Sequence, residues 1–192
     1  MNFLAHIVLS GNDNEIALGN LIADTILPKQ RKELSIKMQK GIELHHAIDT
    51  FTDQHAAFKN TVLLSRPLLK KYAPVAADVF FDHFLAKHFE SYFSPLNLKD
   101  FIANFYSYIE RNKKQLPNNA QELTKYLIQY DWLNTYLSVE GIHQILCQMS
   151  KRTKFESNLQ SASLILKENY QEIEKDFNQL FPELMTLSSS ML

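Results

Sequence analysis

GIELHHAIDTFTD at residues 41–53 and DVFFDHFL at residues 78–85 decide how this chain folds. In the first stretch Ile42, Ile48 and Phe51 are apolar, while His45, Asp49 and Asp53 fall four residues apart. Side chains four apart stack on one face of an α-helix. The stretch therefore predicts a helix with an apolar side and a polar stripe. In the second, Val79, Phe80, Phe81, Phe84 and Leu85 surround Asp78, Asp82 and His83. A carboxylate in such surroundings is costly unless it is paired or holds a cation.

The same helical recurrence of apolar residues, at i, i+3, i+4 and i+7, extends through most of the chain. It predicts helices over about 2–9, 15–26, 32–53, 57–71, 74–93, 100–114, 121–129, 133–150 and 154–180. Asn12 or Asn14 is the expected cap of the second helix. Pro28, Ser94-Pro95 and Pro182 are the expected stops, and Pro67 marks a kink or split. The Ser188-Ser189-Ser190 tail, within residues 186–192, is expected to fray. Only four glycines and six prolines occur in 192 residues. A β-sandwich or a Rossmann fold needs more turn glycine than that. The fold class is all-α, a single-domain helical bundle over residues 1–192, with enough apolar sequence for a full core.

Net charge is −1, so no overall field points to nucleic acid. Cys147 is the single cysteine, which excludes an internal disulfide. The apolar start, MNFLAHIVLSGNDNE, lacks a basic region and a small-residue cleavage site, and His6 interrupts it. It reads as a buried helix. No apolar stretch is long enough to span a membrane, and the cytoplasm is the expected compartment.

Six of the seven histidines lie in the first half. Five polar pairs at one-turn spacing fall within the first 83 residues: Asn2 with His6, Asn20 with Asp24, His45 with Asp49, Asp49 with Asp53, and Asp78 with Asp82. Singly, such a pair is more often structural. Asp24 could sit at a helix end, and Asp53 could cap the next helix. His88 and His143 read as structural or solvated, and His55 as exposed. Jointly, buried carboxylates and histidines on several helices invite one shared cation. A His/Asp donor set suits Mn²⁺, Fe²⁺, Zn²⁺ or Mg²⁺.

MNFLAH at 1–6, GNLIAD at 19–24, GIxxHxxID at 41–49, FTD at 51–53 and DVxxDHFLA at 78–86 resemble the acyl carrier protein phosphodiesterase family. That family is regarded as a divergent branch of the HD-type phosphohydrolases, which are all-α and metal-dependent. The resemblance implies removal of 4′-phosphopantetheine from holo acyl carrier protein, with manganese or magnesium as the ion. It implies roles for His6, Asp24, His45, Asp49, Asp53, Asp78, Asp82 and His83. The expectation is that His6, Asp24, His45, Asp49 and Asp82 hold the metal and that Asp53, Asp78 and His83 serve catalysis. His46 stands where the family usually has arginine, and histidine holds a phosphate less well than a bidentate guanidinium. His46, Arg66, Lys70 and Lys71 are the expected contacts to phosphate or carrier protein. Acyl carrier proteins are strongly acidic, so their partner needs local positive charge. Two rival readings differ in class: an HD-type phosphohydrolase of a nucleotide or other small phosphate ester, and a non-catalytic helical binding module.

Overall fold

A computed structural model describes all 192 residues. It contains twelve α-helices, four short 3₁₀ turns and no strand. The helices are α1 (Phe3–Val8), α2 (Asn14–Ile22), α3 (Pro28–Arg31), α4 (Ile36–Gln54), α5 (Ala56–Leu69), α6 (Ala73–Phe93), α7 (Leu98–Asn112), α8 (Asn118–Gln129), α9 (Trp132–Thr135), α10 (Val139–Arg152), α11 (Ala162–Glu168) and α12 (Tyr170–Met191). One cluster of 52 buried apolar residues unites them, as expected of a single all-α domain. No helix is long and apolar enough to cross a membrane.

Helix α6 is the axis of the bundle. Its apolar residues fall on all sides, and Ala76, Ala77, Val79, Phe80, Phe81, Phe84, Leu85 and Phe89 are all buried. A helix apolar all round belongs inside. Helices α1, α5, α7, α10 and α12 pack against it.

Helices α2 and α4 cross at van der Waals distance of their backbones, because each contributes a glycine. A Cβ on Gly41 would lie 2.1 Å from the Ile16 carbonyl oxygen and 2.6 Å from the Asn20 nitrogen. A Cβ on Gly19 would lie 2.2 Å from the Met38 carbonyl oxygen. Glycine weakens an isolated helix; here it lets Asn20 of α2 reach His45, one turn beyond Gly41 on α4.

Several boundaries differ from the sequence reading. Asp13, not Asn12 or Asn14, caps α2, accepting hydrogen bonds from the Glu15 and Ile16 N–H groups. Pro28 does not merely end a helix; it opens α3 from the first position, where a proline forfeits nothing. Pro67 sits within α5 without interrupting it. The helix expected over 133–150 is two, because the Ser138 side chain accepts from the Gly141 N–H and starts α10 afresh. The helix expected over 154–180 is also broken. Asn158 has φ +55°, and the chain turns at Asn169 between α11 and α12. Pro182 lies inside α12, and the tail is not frayed: the helix continues to Met191 with Leu184 and Ser188 buried. Burial of that apolar face against α4, α5 and α6 outweighs the one backbone bond proline removes.

Candidate metal centre

Four elements converge at one end of α6. Helix α1 brings His6, α2 brings Asn20, the 3₁₀ turn after α2 brings Asp24, and α4 brings His45 and Asp49. Asn20 is fully buried and organises the group. Its Nδ2 donates to the His6 carbonyl oxygen at 2.9 Å and to Ser10 Oγ at 3.0 Å. That fixes its amide orientation, so Oδ1 faces the rings. Oδ1 lies 2.8 Å from His6 Nδ1 and 3.2 Å from His45 Nδ1. The Asn20 carbonyl oxygen also lies 2.9 Å from His45 Nδ1. Both Nδ1 atoms therefore carry the hydrogen and donate to Asn20. In the neutral rings both Nε2 lone pairs face the cleft. The rings stack, with centroids 4.1 Å apart.

The Nε2 atoms meet carboxylates. His6 Nε2 is 3.2 Å from Asp49 Oδ1 and 3.2 Å from the Met1 carbonyl oxygen, and His45 Nε2 is 3.1 Å from Asp49 Oδ2 and 3.3 Å from Asp24 Oδ1. Donor atoms of His6, His45 and Asp49 all lie within 4.8 Å of one another. His45 Nε2 is buried yet makes no well-formed hydrogen bond. Donors sharing one ion at about 2.1 Å sit roughly 2.9–3.4 Å apart at right or tetrahedral angles. The observed separations fall in that span, and the orphaned nitrogen lies among them. The residues present thus fit a divalent cation with mixed nitrogen and oxygen donors.

The electrostatics agree. Burial pulls His6 down to about 4, which keeps it neutral and able to donate its lone pair. Burial also opposes protonation of His45, but Asp24 and Asp49 outweigh it and raise that ring to about 9. Asp49 is held below the ordinary carboxylate range: burial opposes this, and the attraction of the two imidazole rings beside it, His45 and His6, prevails. Two carboxylates here call for one positive charge, either a proton on His45 or a cation held between the donors.

The cluster floors a cleft of about 500 Å³, bordered by Asp53, Asp78, Thr25, Pro74, Val75 and Leu123. Asp53 is exposed at the end of α4. Asp78 accepts a 2.6 Å hydrogen bond from the Met1 ammonium, which is buried beside it. Burial raises the Asp78 carboxyl, against the pull of that ammonium.

Of the residues singled out in sequence, His6, Asp24, His45, Asp49, Asp53 and Asp78 come together here. Asp82 does not. It is fully buried beneath α1, where its oxygens accept from the Asn2 N–H at 3.2 Å and the Leu4 N–H at 2.7 Å. It serves as an anchor for the first turn of α1, and burial drives its carboxyl up to about 7. His83 also lies elsewhere, its Nδ1 2.8 Å from the Tyr136 carbonyl oxygen and its Nε2 2.9 Å from the Tyr170 hydroxyl. Both ring nitrogens are engaged in tying α6 to its neighbours. The structure places neither residue among the clustered donors. His46 is exposed, edge-on to His45, and does not line the cleft. Arg66 borders a neighbouring groove that shares Asp53 and Pro74 with the cleft. Lys70 and Lys71 follow in the next turn, with Lys71 Nζ 4.3 Å from the Phe155 ring centroid. Sequence reading missed the clamp made by Asn20; the signal was an amide embedded in the apolar run ALGNLIA.

A family model described as acyl carrier protein phosphodiesterase matches residues 1–184. The acyl carrier protein phosphodiesterase of Pectobacterium atrosepticum is 30% identical over 190 residues, covering 99% of this chain and 98% of the relative. That of Yersinia pestis is 29% identical over 185 residues, 96% of each. That of Klebsiella pneumoniae strain 342 is 29% identical over 190 residues, 99% of this chain and 98% of the relative. No solved structure matches the chain.

Proposed function

The chain belongs to the acyl carrier protein phosphodiesterase family, and from that premise we propose that it hydrolyses the phosphodiester joining a carrier-protein serine to 4′-phosphopantetheine. Water adds to phosphorus, the bond from phosphorus to the serine oxygen breaks, and apo carrier protein and 4′-phosphopantetheine leave. The observation that carries the reading is the pair of buried histidines held through Nδ1 by one asparagine, with both Nε2 atoms turned toward Asp49.

Manganese or magnesium, held by His6, His45, Asp49 and Asp24, would neutralise charge on the phosphoryl oxygens and lower the pKa of water. Asn20 keeps both rings in the donating tautomer, as hydrogen-bonded partners of ligating histidines do. Asp53 and Asp78 border the cleft and are the candidates to take the proton from the attacking water. On the flank, Arg66 and Lys59 border the groove that continues from Asp53 and Pro74, and Lys70 and Lys71 follow. Arg66, Lys70 and Lys71 form no ion pair within the protein, so their charge is available to an acidic partner. This compartment of chemistry is proposed for the cytoplasm, where carrier proteins work.

The test is mass spectrometry of holo carrier protein incubated with Mn²⁺, beside an EDTA control and an Asp49→Ala variant. Loss of the phosphopantetheine mass in the metal-replete wild type alone is the expected result. An unchanged holo mass with metal bound would sink the carrier-protein reading and move a small phosphate ester to first place.

A further inference from the structure

Beside the metal-centre cleft lies a second chamber of about 270 Å³. Asn2, Phe3, Val75 and Leu123 wall both cavities, so the two are contiguous. Nine of the thirteen residues lining the chamber are apolar. Trp132, Tyr136 and Ile145 are buried in its wall, and Phe3 stacks on Trp132 with centroids 5.8 Å apart. Two polar side chains interrupt this surface. Gln148 accepts from Trp132 Nε1 at 3.1 Å, which leaves its amide N–H groups free to donate. The Arg152 guanidinium lies 5.5 Å from the Trp132 ring centroid and pairs with no carboxylate. The other flank of the cleft, through Asp53 and Pro74, is the shallow groove of Lys59, Leu63 and Arg66. The order is thus exposed basic groove, metal centre, apolar chamber.

A phosphodiester has two sides, and these flanks differ as its sides do. We infer that the chamber between α1, α6, α9 and α10 is the subsite for the pantetheine arm, which stays on phosphorus, while the leaving serine and its carrier protein lie toward Arg66. This rests on the carrier-protein reading of the metal centre. One methylene from the phosphate ester oxygen, the arm has a quaternary carbon bearing two methyl groups, which suits the shared wall of Phe3, Val75 and Leu123. Its amide carbonyls lie further on and need donors, which Gln148 and Arg152 supply. Apolar walls with a few placed polar groups are the usual form of such sites.

The chain has a single tryptophan, Trp132, so its emission reports occupancy of the chamber. Pantetheine, which carries no phosphate, is titrated against the wild type, Ile145→Phe and Arg152→Ala. Ile145→Phe fills the chamber; Arg152→Ala alters an exposed side chain and carries the test where the first variant fails to fold. A saturable change is expected in the wild type, with its midpoint raised at least tenfold by Ile145→Phe and severalfold by Arg152→Ala. With holo carrier protein, the same variants raise KM and leave kcat within twofold, the mark of lost binding common to ground and transition states. Hydrolysis of bis(p-nitrophenyl) phosphate, which has no arm, stays at the wild-type rate. Absence of a saturable emission change in the wild type overturns the subsite, as does an equal loss on both substrates. If the wild type binds pantetheine but leaves holo carrier intact, the carrier-protein reading fails and the subsite stands.

Discussion

Gly41→Ala places one methyl group where the backbones of α2 and α4 cross. The new Cβ would lie 2.1 Å from the Ile16 carbonyl oxygen, 2.6 Å from the Asn20 nitrogen and 3.0 Å from the Gly19 carbonyl carbon. A tolerable carbon–oxygen contact is about 3.3 Å, so the helices must separate by roughly 1.2 Å at this point. All three obstacles are backbone, and no rotamer relieves them. Overpacking of this kind costs about 1–3 kcal/mol, while alanine in place of glycine returns about 1 kcal/mol of helix propensity. A net loss near 1 kcal/mol corresponds to a fall in Tm of about 2–4 °C for a domain of this length. The same separation stretches the 2.9 Å and 3.2 Å contacts from Asn20 to His45 Nδ1 past hydrogen-bonding range. Losing the partner of a ligating histidine costs about 10- to 100-fold in metal affinity. Thermal unfolding by circular dichroism and Mn²⁺ titration calorimetry read the two effects. The sign decides: a glycine that was merely a weak point in a helix would give a variant with higher Tm, and that result would refute the crossing argument.

Three other outcomes follow from the same geometry. Asn20→Ala removes the side-chain acceptor of His6 Nδ1–H and leaves His45 Nδ1–H only the backbone carbonyl of residue 20, so Mn²⁺ affinity falls about 10- to 100-fold and the His6 tautomer, read by ¹⁵N NMR, becomes mixed; unchanged affinity would deny Asn20 its part. Asp82→Ala leaves the Asn2 and Leu4 N–H groups unpaired beneath α1, lowering stability by about 1–3 kcal/mol; loss of metal at unchanged Tm would instead make Asp82 a ligand. Burial holds His83 below its ordinary value, so the unfolded chain takes up a proton before the folded one. Its contribution to stability is present above pH about 6.5 and is lost as pH falls below it. Tm between pH 7 and pH 5 should fall more steeply for the wild type than for His83→Gln, and equal slopes would exclude His83 as the group responsible.

The stripe His45–Asp49–Asp53 was legible because side chains that share one face of a helix obey its four-residue spacing. His6 was legible as a histidine inside an apolar run. The same rule drew in Asp82 and His83, which are also polar groups in an apolar helix but lie outside the cluster. A carboxylate there serves a metal or the unpaired N–H groups of another helix equally well. The choice depends on α1, 78 residues away at Leu4, which no local pattern displays. The long helices α4 and α6 were read nearly to their ends. The breaks before α10 and before α12 were not, because a serine cap and two irregular asparagines leave little mark on apolar periodicity. Pro182 was read as a stop by its local cost, although the apolar face beyond it continues into the core.

The anchoring of α1 has a consequence for the order in which the centre can come into being. Six residues are too few to hold a helix in water without help. The help comes from α2, through Asn20, and from α6, through Asp82, so α1 is fully anchored only once α6 has been synthesised and docked. If the site holds a metal as proposed, Mn²⁺ binding during refolding should lag behind the gain of helix in α4 or α6.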